Sequence, residues 1–167
     1  MDLDLKGKVA LITGPAKGMG AAVSRAFAAE GCRLLLLGRD LAAIAPVDAG
    51  IREAGGTVSV ARCDVTVAED CEAAVAKAQS LFGAVDILVN VAGGTGPIGK
   101  TGAQTTPDEF RDIIDVNMTG CFNMIRAAAP AMMAQRSGKI VNVGGSFGMR
   151  GRAGRVAYSS SKWGLRG

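Results

Sequence analysis

The sequence predicts an α/β fold, a doubly wound parallel sheet with helices on both faces. Short apolar runs rich in branched residues recur along the chain, stretches with helical spacing separate them, and the runs are apolar throughout. Strands buried on both faces read in this way. The 167 residues suit one domain with a single core.

KVALIT, residues 8–13, is the first strand, stopped by Gly14. Alanines with Val23 and Phe27 at helical spacing make 18–30 a helix that ends at Gly31. RLLLLG is the second strand, and 40–54 a looser helix that Pro46 should kink or break. TVSVARC is the third strand. Thr66, with Glu69 three residues on, reads as a capping box opening a helix that runs to Phe82.

VDILVN is the fourth strand, and the glycine-rich stretch 93–105 is too polar for anything but a loop. Thr106, Pro107 and Glu109 supply a cap, a first-turn proline and a reciprocal acid for a helix reaching Arg136, with a bend. GKIVNV is the fifth strand, and a last helix begins near Ala157.

Composition narrows the function. With 49% hydrophobic and 20% charged residues the chain is a soluble globular type. Its net charge of +4 is scattered, and no nucleic-acid motif appears. The apolar run near the start is too short to span a membrane and has no signal-peptide layout. Cys32, Cys63, Cys71 and Cys121 are far apart, which suits thiols of a reducing, cytoplasmic compartment and no metal site. Histidine is absent, so proton transfer must use Tyr, Lys, Asp, Glu or Cys.

TGPAKGMG follows the first strand and opens the first helix. Gly14, Gly18 and Gly20 permit a tight turn and let backbone N–H groups approach a pyrophosphate at a helix N-terminus. After the second strand, where a ribose-binding acid would favour a cofactor lacking a 2′-phosphate, stand Gly38 and Arg39. Arg39, with Lys17, can pair with that phosphate. The alternative is that both are solvated charges, with Asp40 neutralising Arg39. Asp64 and Asn90 end the third and fourth strands, at the carboxyl edge where open sheets bind ligands; Asp64 also suits a plain turn cap. Tyr158 and Lys162 stand four apart, on one helix face, where a lysine cation stabilises a phenolate.

In order and spacing these stretches resemble the short-chain dehydrogenase/reductase family: Thr13-Gly14 with Gly18 and Gly20, Asp64-Val65, Asn90-Val91-Ala92-Gly93, Asn117, and Tyr158 with Lys162. The resemblance covers essentially the whole chain. It implies a Rossmann-like fold and a single dinucleotide-binding domain over 1–167. It also implies an oxidoreductase acting on a ketone or alcohol, with no nucleic-acid or membrane partner, and a homo-oligomer, dimer or homotetramer. By the same resemblance Gly14, Gly18, Met19 and Gly20 meet the pyrophosphate. Asp64 and Val65 meet the adenine, and Asn90, Ala92 and Gly93 line the cofactor's path. Asn117 holds a water of the proton relay, Tyr158 is the general acid/base, and Lys162 binds the ribose while activating Tyr158. Gly38-Arg39 resembles an arrangement for NADP(H), with NAD(H) as the alternative.

Two departures stand out. The family's serine, thirteen residues before the tyrosine, falls on Gly145, and the catalytic candidate Ser146 lies one residue late: loop geometry after the strand could bring it inward, whereas a regular strand would turn it away. Family members also continue through further strands, a helix and a substrate-covering loop. The chain is therefore expected to be incomplete at its C-terminus, with an exposed sheet edge. A non-catalytic dinucleotide-binding protein or inactive fragment is the rival expectation.

Overall fold

In the computed structural model, which describes residues 3–167, five strands form one sheet in the order β3-β2-β1-β4-β5, every pair parallel. The strands are β1 (Val9–Thr13), β2 (Arg33–Gly38), β3 (Thr57–Arg62), β4 (Ile87–Asn90) and β5 (Lys139–Asn142). Between and after them lie α1 (Gly18–Ala29), α2 (Leu41–Glu53), α3 (Ala68–Phe82), α4 (Pro107–Ile114), α5 (Gly120–Ala134) and α6 (Val156–Arg166).

Strand alternation divides the apolar runs between two cores. Val9, Leu11, Leu35, Leu37 and Leu88 face Cys71, Ala74, Met124 and Ala128 of α3 and α5. Ala10, Ile12, Leu34, Leu36 and Val89 face Ala21, Ile44 and Ile51 of α1 and α2. Each fully buried leucine contributes about 1.5–3 kcal/mol over the exposed state. The predicted doubly wound architecture is the one observed. The strand order reverses on either side of β1, so the carboxyl ends of β1 and β4 open a crevice between them.

Local expectations fare unevenly. Thr106 and Glu109 form the predicted reciprocal cap of α4. The Thr66–Glu69 box does not form. Helix α3 starts at Ala68 with Val67 at its cap, because Asp64 Oδ1 accepts from both the amide and the hydroxyl of Thr66. Pro46 does not break α2, which is continuous from Leu41 to Glu53 with Asp40 capping it through Ala43 N. The expected bend before Arg136 is a π turn, Asp115–Thr119, joining α4 to α5. At the sheet edge all four residues of β5 are exposed. Among the described residues no helix is long and apolar enough to cross a membrane.

Candidate active site

The glycine turn is built by close backbone approach. A Cβ on Gly20 would lie 2.1 Å from the Gly14 carbonyl oxygen, and one on Gly14 would lie 2.8 Å from Ala92 Cα. Beside Gly18 nothing stands within 4 Å, so the turn is tight inside and open outside. Helix α1 has no side-chain cap and no acid in its first turn. Its N–H groups and positive dipole end thus suit an anion. Lys17 and Met19 stand exposed on this turn.

Thr13 ties the turn to its neighbour: its buried Oγ1 accepts from Val91 N and Ala92 N, both at 3.1 Å. Asn90 Nδ2 donates to Asn142 Oδ1, while Asn90 Oδ1 is buried with no partner. A cleft of about 160 Å³ runs from Gly14 past Arg39, Asp64 and Val65 to Ala92 and Gly93. Predicted cofactor residues from the ends of four strands, β1 to β4, therefore line one space. The cradle that a Cβ on Gly14 or Gly20 would fill, the uncapped helix and the cleft together fit a dinucleotide.

Asp64 serves two ends. Its Oδ1 holds the Thr66 turn, and its Oδ2 lies 3.8 Å from Arg39 Nη1. Partial burial pushes this carboxyl up, but the Thr66 hydroxyl and amide with Arg39 and Arg62 outweigh it and hold the group below its ordinary range. Asp40 does not neutralise Arg39, since it is occupied as the α2 cap. Gly38 has its own packing reason, because a Cβ there would come 2.9 Å from Ile44 Cδ1.

Tyr158 and Lys162 share a face of α6, with the Lys162 ammonium 5.9 Å from the tyrosine ring centre. Lys162 is only 7% exposed, and its Nζ donates to Val143 O at 2.8 Å. Burial pushes its pKa down, and the Cys121 thiol opposes that shift. Phe147 meets the Tyr158 ring edge-on at 5.7 Å.

Asn117 is fully buried in the π turn, a helix defect frequent at functional sites. Its Oδ1 accepts from Gly94 N, and its Nδ2 donates to Gly94 O and Ser161 Oγ. Ser161 in turn donates to Tyr158 O. The Asn117 side chain thus fixes the Gly94 loop to α6.

Strand β5 ends at Asn142, so the pleat does not decide where Ser146 points. Ser146 opens a short 3₁₀ turn, is exposed, and lines a cleft of about 570 Å³ with Gly145, Met149 and Lys162. Gly145 has φ +113°, a conformation reserved for glycine, and a Cβ built there would have the Tyr158 hydroxyl, at 3.7 Å, as its neighbour. The position counted from the sequence therefore does face the tyrosine, but on a backbone that disfavours a serine. Thr13 was named in the sequence only beside Gly14, with no role of its own, and Ser161 and Arg155, the last discussed below, were not singled out. A buried threonine ending a strand ahead of Gly14 was the available signal for the first.

Comparison with known proteins finds that the family model described as short chain dehydrogenase matches residues 8–167. The chain is 33% identical over 165 residues to the 3-oxoacyl-(acyl-carrier-protein) reductase of Vibrio harveyi, covering 99% of this chain and 66% of that one. A metagenomic short-chain oxidoreductase solved in complex with NADP superposes with a TM-score of 0.92 at 35% identity, covering 97% of this chain and 73% of the other. NAD⁺-bound xylitol dehydrogenase superposes with a TM-score of 0.93 at 32% identity, covering 96% and 62%. Across the curated relatives compared, the chain spans 55% to 66% of their length.

Proposed function

The chain belongs to the short chain dehydrogenase family, and on that premise we propose that it interconverts a ketone and a secondary alcohol with a nicotinamide dinucleotide, NADP(H) in preference to NAD(H). The observation that carries this reading is the pairing of Tyr158 with the buried Lys162, in a chain that also holds an uncapped glycine turn. Gly14, Gly18, Met19 and Gly20 would hold the pyrophosphate through backbone N–H groups. Asp64 Oδ2 and Val65 would meet the adenine, and Asn90, Ala92 and Gly93 would flank the remainder. The cofactor, when bound, supplies or accepts the hydride.

The protein's own contribution is a proton. Tyr158 donates it from its hydroxyl to the carbonyl oxygen during reduction and takes it back during oxidation. Lys162 places its ammonium 5.9 Å from the centre of the phenol ring. Asn117 positions both by joining the Gly94 loop to α6 through Ser161. Turnover of a ketone panel with NADPH, beside a fluorescence titration of the cofactor, tests the reading. Tight binding without turnover of any ketone would replace it with a binding-only role.

The binding-only reading has one specific support, the glycine at 145. We expect Ser146→Ala to change turnover less than about threefold, since this exposed hydroxyl has no partner among the described residues and a lost stabilising donor costs ten- to a thousandfold. Gly145→Ser should lower stability by about 1–3 kcal/mol, the cost of a glycine-only backbone region, whatever it does to rate. Steady-state kinetics and denaturant unfolding check the pair; a hundredfold loss in Ser146→Ala would give that hydroxyl the substrate-orienting role.

Cofactor preference rests on Arg39, 70% exposed at the cleft mouth. Arg39→Ala should narrow the affinity gap between NADP(H) and NAD(H) by about 1–3 kcal/mol, the scale of a charged hydrogen bond. Equal affinities in the parent protein at matched salt would remove the preference.

A further inference from the structure

Beyond Asp115 the sequence contains no aspartate or glutamate, yet Arg150, Arg152, Arg155, Lys162 and Arg166 crowd its last eighteen positions. Elsewhere Arg39, Arg52, Arg62, Arg111 and Arg126 each pair with a carboxylate. Among the described residues, Arg150, Arg152, Arg155 and Arg166 make no ion pair.

One of these cations sits against the tyrosine, and a second sits against Phe147, which the tyrosine ring touches. The Arg155 guanidinium lies 4.9 Å from the Tyr158 ring centre and 5.6 Å from that of Phe147, and Arg152 lies 5.5 Å from Phe147. Arg155 is held there: its Nη2 donates to Thr95 O, and Gly99 N donates to Gly154 O, stitching the loop after β4 to the segment carrying the arginines. Its Nε is buried without a partner. Neither wall supplies a counter-charge. Residues 93–105 contain no acid, and the nearby α4 acids Asp108 and Glu109 are taken by Arg111 and Lys100. Two guanidinium groups on one aromatic ring repel each other, and aromatic contact is a weak substitute for a carboxylate.

We propose that Arg152 and Arg155 recognise an oxyanion, a carboxylate or phosphate, carried by the carbonyl substrate within a few bonds of its reacting carbon. This rests on the reading of Tyr158 as the proton donor and narrows it to anionic ketones. A planar guanidinium matches such groups with paired N–H donors, and the water-poor face of the ring strengthens the attraction. The same arrangement disfavours cationic ketones.

Matched probes test it: acetoacetate against methyl acetoacetate, and dihydroxyacetone phosphate against dihydroxyacetone, each with NADPH. The parent protein should favour the anionic member of at least one pair in kcat/KM. Arg155→Leu should reduce that preference by about ten- to a hundredfold. Arg152→Gln, at an exposed position where folding is not at stake, should reduce it severalfold. Because the readout is a ratio within one variant, general damage to the site cancels. A parent that favours the neutral members, or a preference unmoved in both variants, overturns the proposal. If no ketone turns over, calorimetric binding to the NADPH-saturated protein separates the two claims. Anion binding lost in Arg152→Gln would keep the oxyanion site while removing the proton-donor reading, and no anion binding would remove the site.

Discussion

Tyr158→Phe should lower turnover by about 10²- to 10⁴-fold, the contribution of a positioned general acid, while cofactor affinity changes less than about twofold. The substitution removes one oxygen and leaves the ring. Phe147 keeps its edge-on contact, Arg155 keeps its aromatic face, and Lys162 keeps its bond to Val143 O. Ketone reduction rates measured beside a cofactor titration give both numbers. Parental turnover in this variant would mean that the proton comes from elsewhere. In a chain without histidine, Lys162 would then be the next group to examine.

Gly20→Ala should be the most damaging change in the cofactor half. The added methyl would stand 2.1 Å from the Gly14 carbonyl oxygen, 2.9 Å from its carbon and 3.1 Å from Pro15 Cα. All three are backbone atoms of the same turn, so relief requires moving the turn off the start of α1. We expect a loss of about 2–4 kcal/mol of stability, as for severe overpacking, and at least tenfold weaker cofactor binding. Gly18→Ala is the control: it meets no atom within 4 Å and carries only the modest strain of its positive φ. Urea unfolding with a cofactor titration distinguishes the two; equal behaviour would show that the close approach at Gly20 is not what shapes the turn.

The sheet was legible because its signal is redundant. The strands β1 to β4 are apolar runs bounded by turn residues, and alternation within them fills two cores, so no single residue decides the assignment. Local capping was less legible, because one side chain can satisfy competing groups. Thr66 had the spacing of a capping residue, but Asp64, two residues earlier, engages both its amide and its hydroxyl. The same aspartate caps the turn with one oxygen and faces Arg39 with the other. The site's residue types were readable in order, whereas their hydrogen bonds depend on long-range contacts. Nothing near Asn117 in sequence reveals that Gly94 and Ser161 occupy its amide. The loop after β5 was the least legible, because counting places Gly145 opposite Tyr158 but only the backbone reveals its φ of +113°. Arg155 escaped for another reason. A scattered positive charge looks solvated until the absence of any acid after Asp115 is set beside the ring it covers.

The central claim is that the crevice between the glycine turn and Tyr158 carries out hydride transfer to a carbonyl. Its most direct measurement is reduction of a ketone with NADPH deuterated on the transferred position of its nicotinamide, followed by mass spectrometry of the alcohol. The account predicts one deuterium in each alcohol formed by the parent protein, and almost no alcohol from Tyr158→Phe. Tight cofactor binding with no labelled alcohol from any ketone, or labelled alcohol formed equally by Tyr158→Phe, would contradict it.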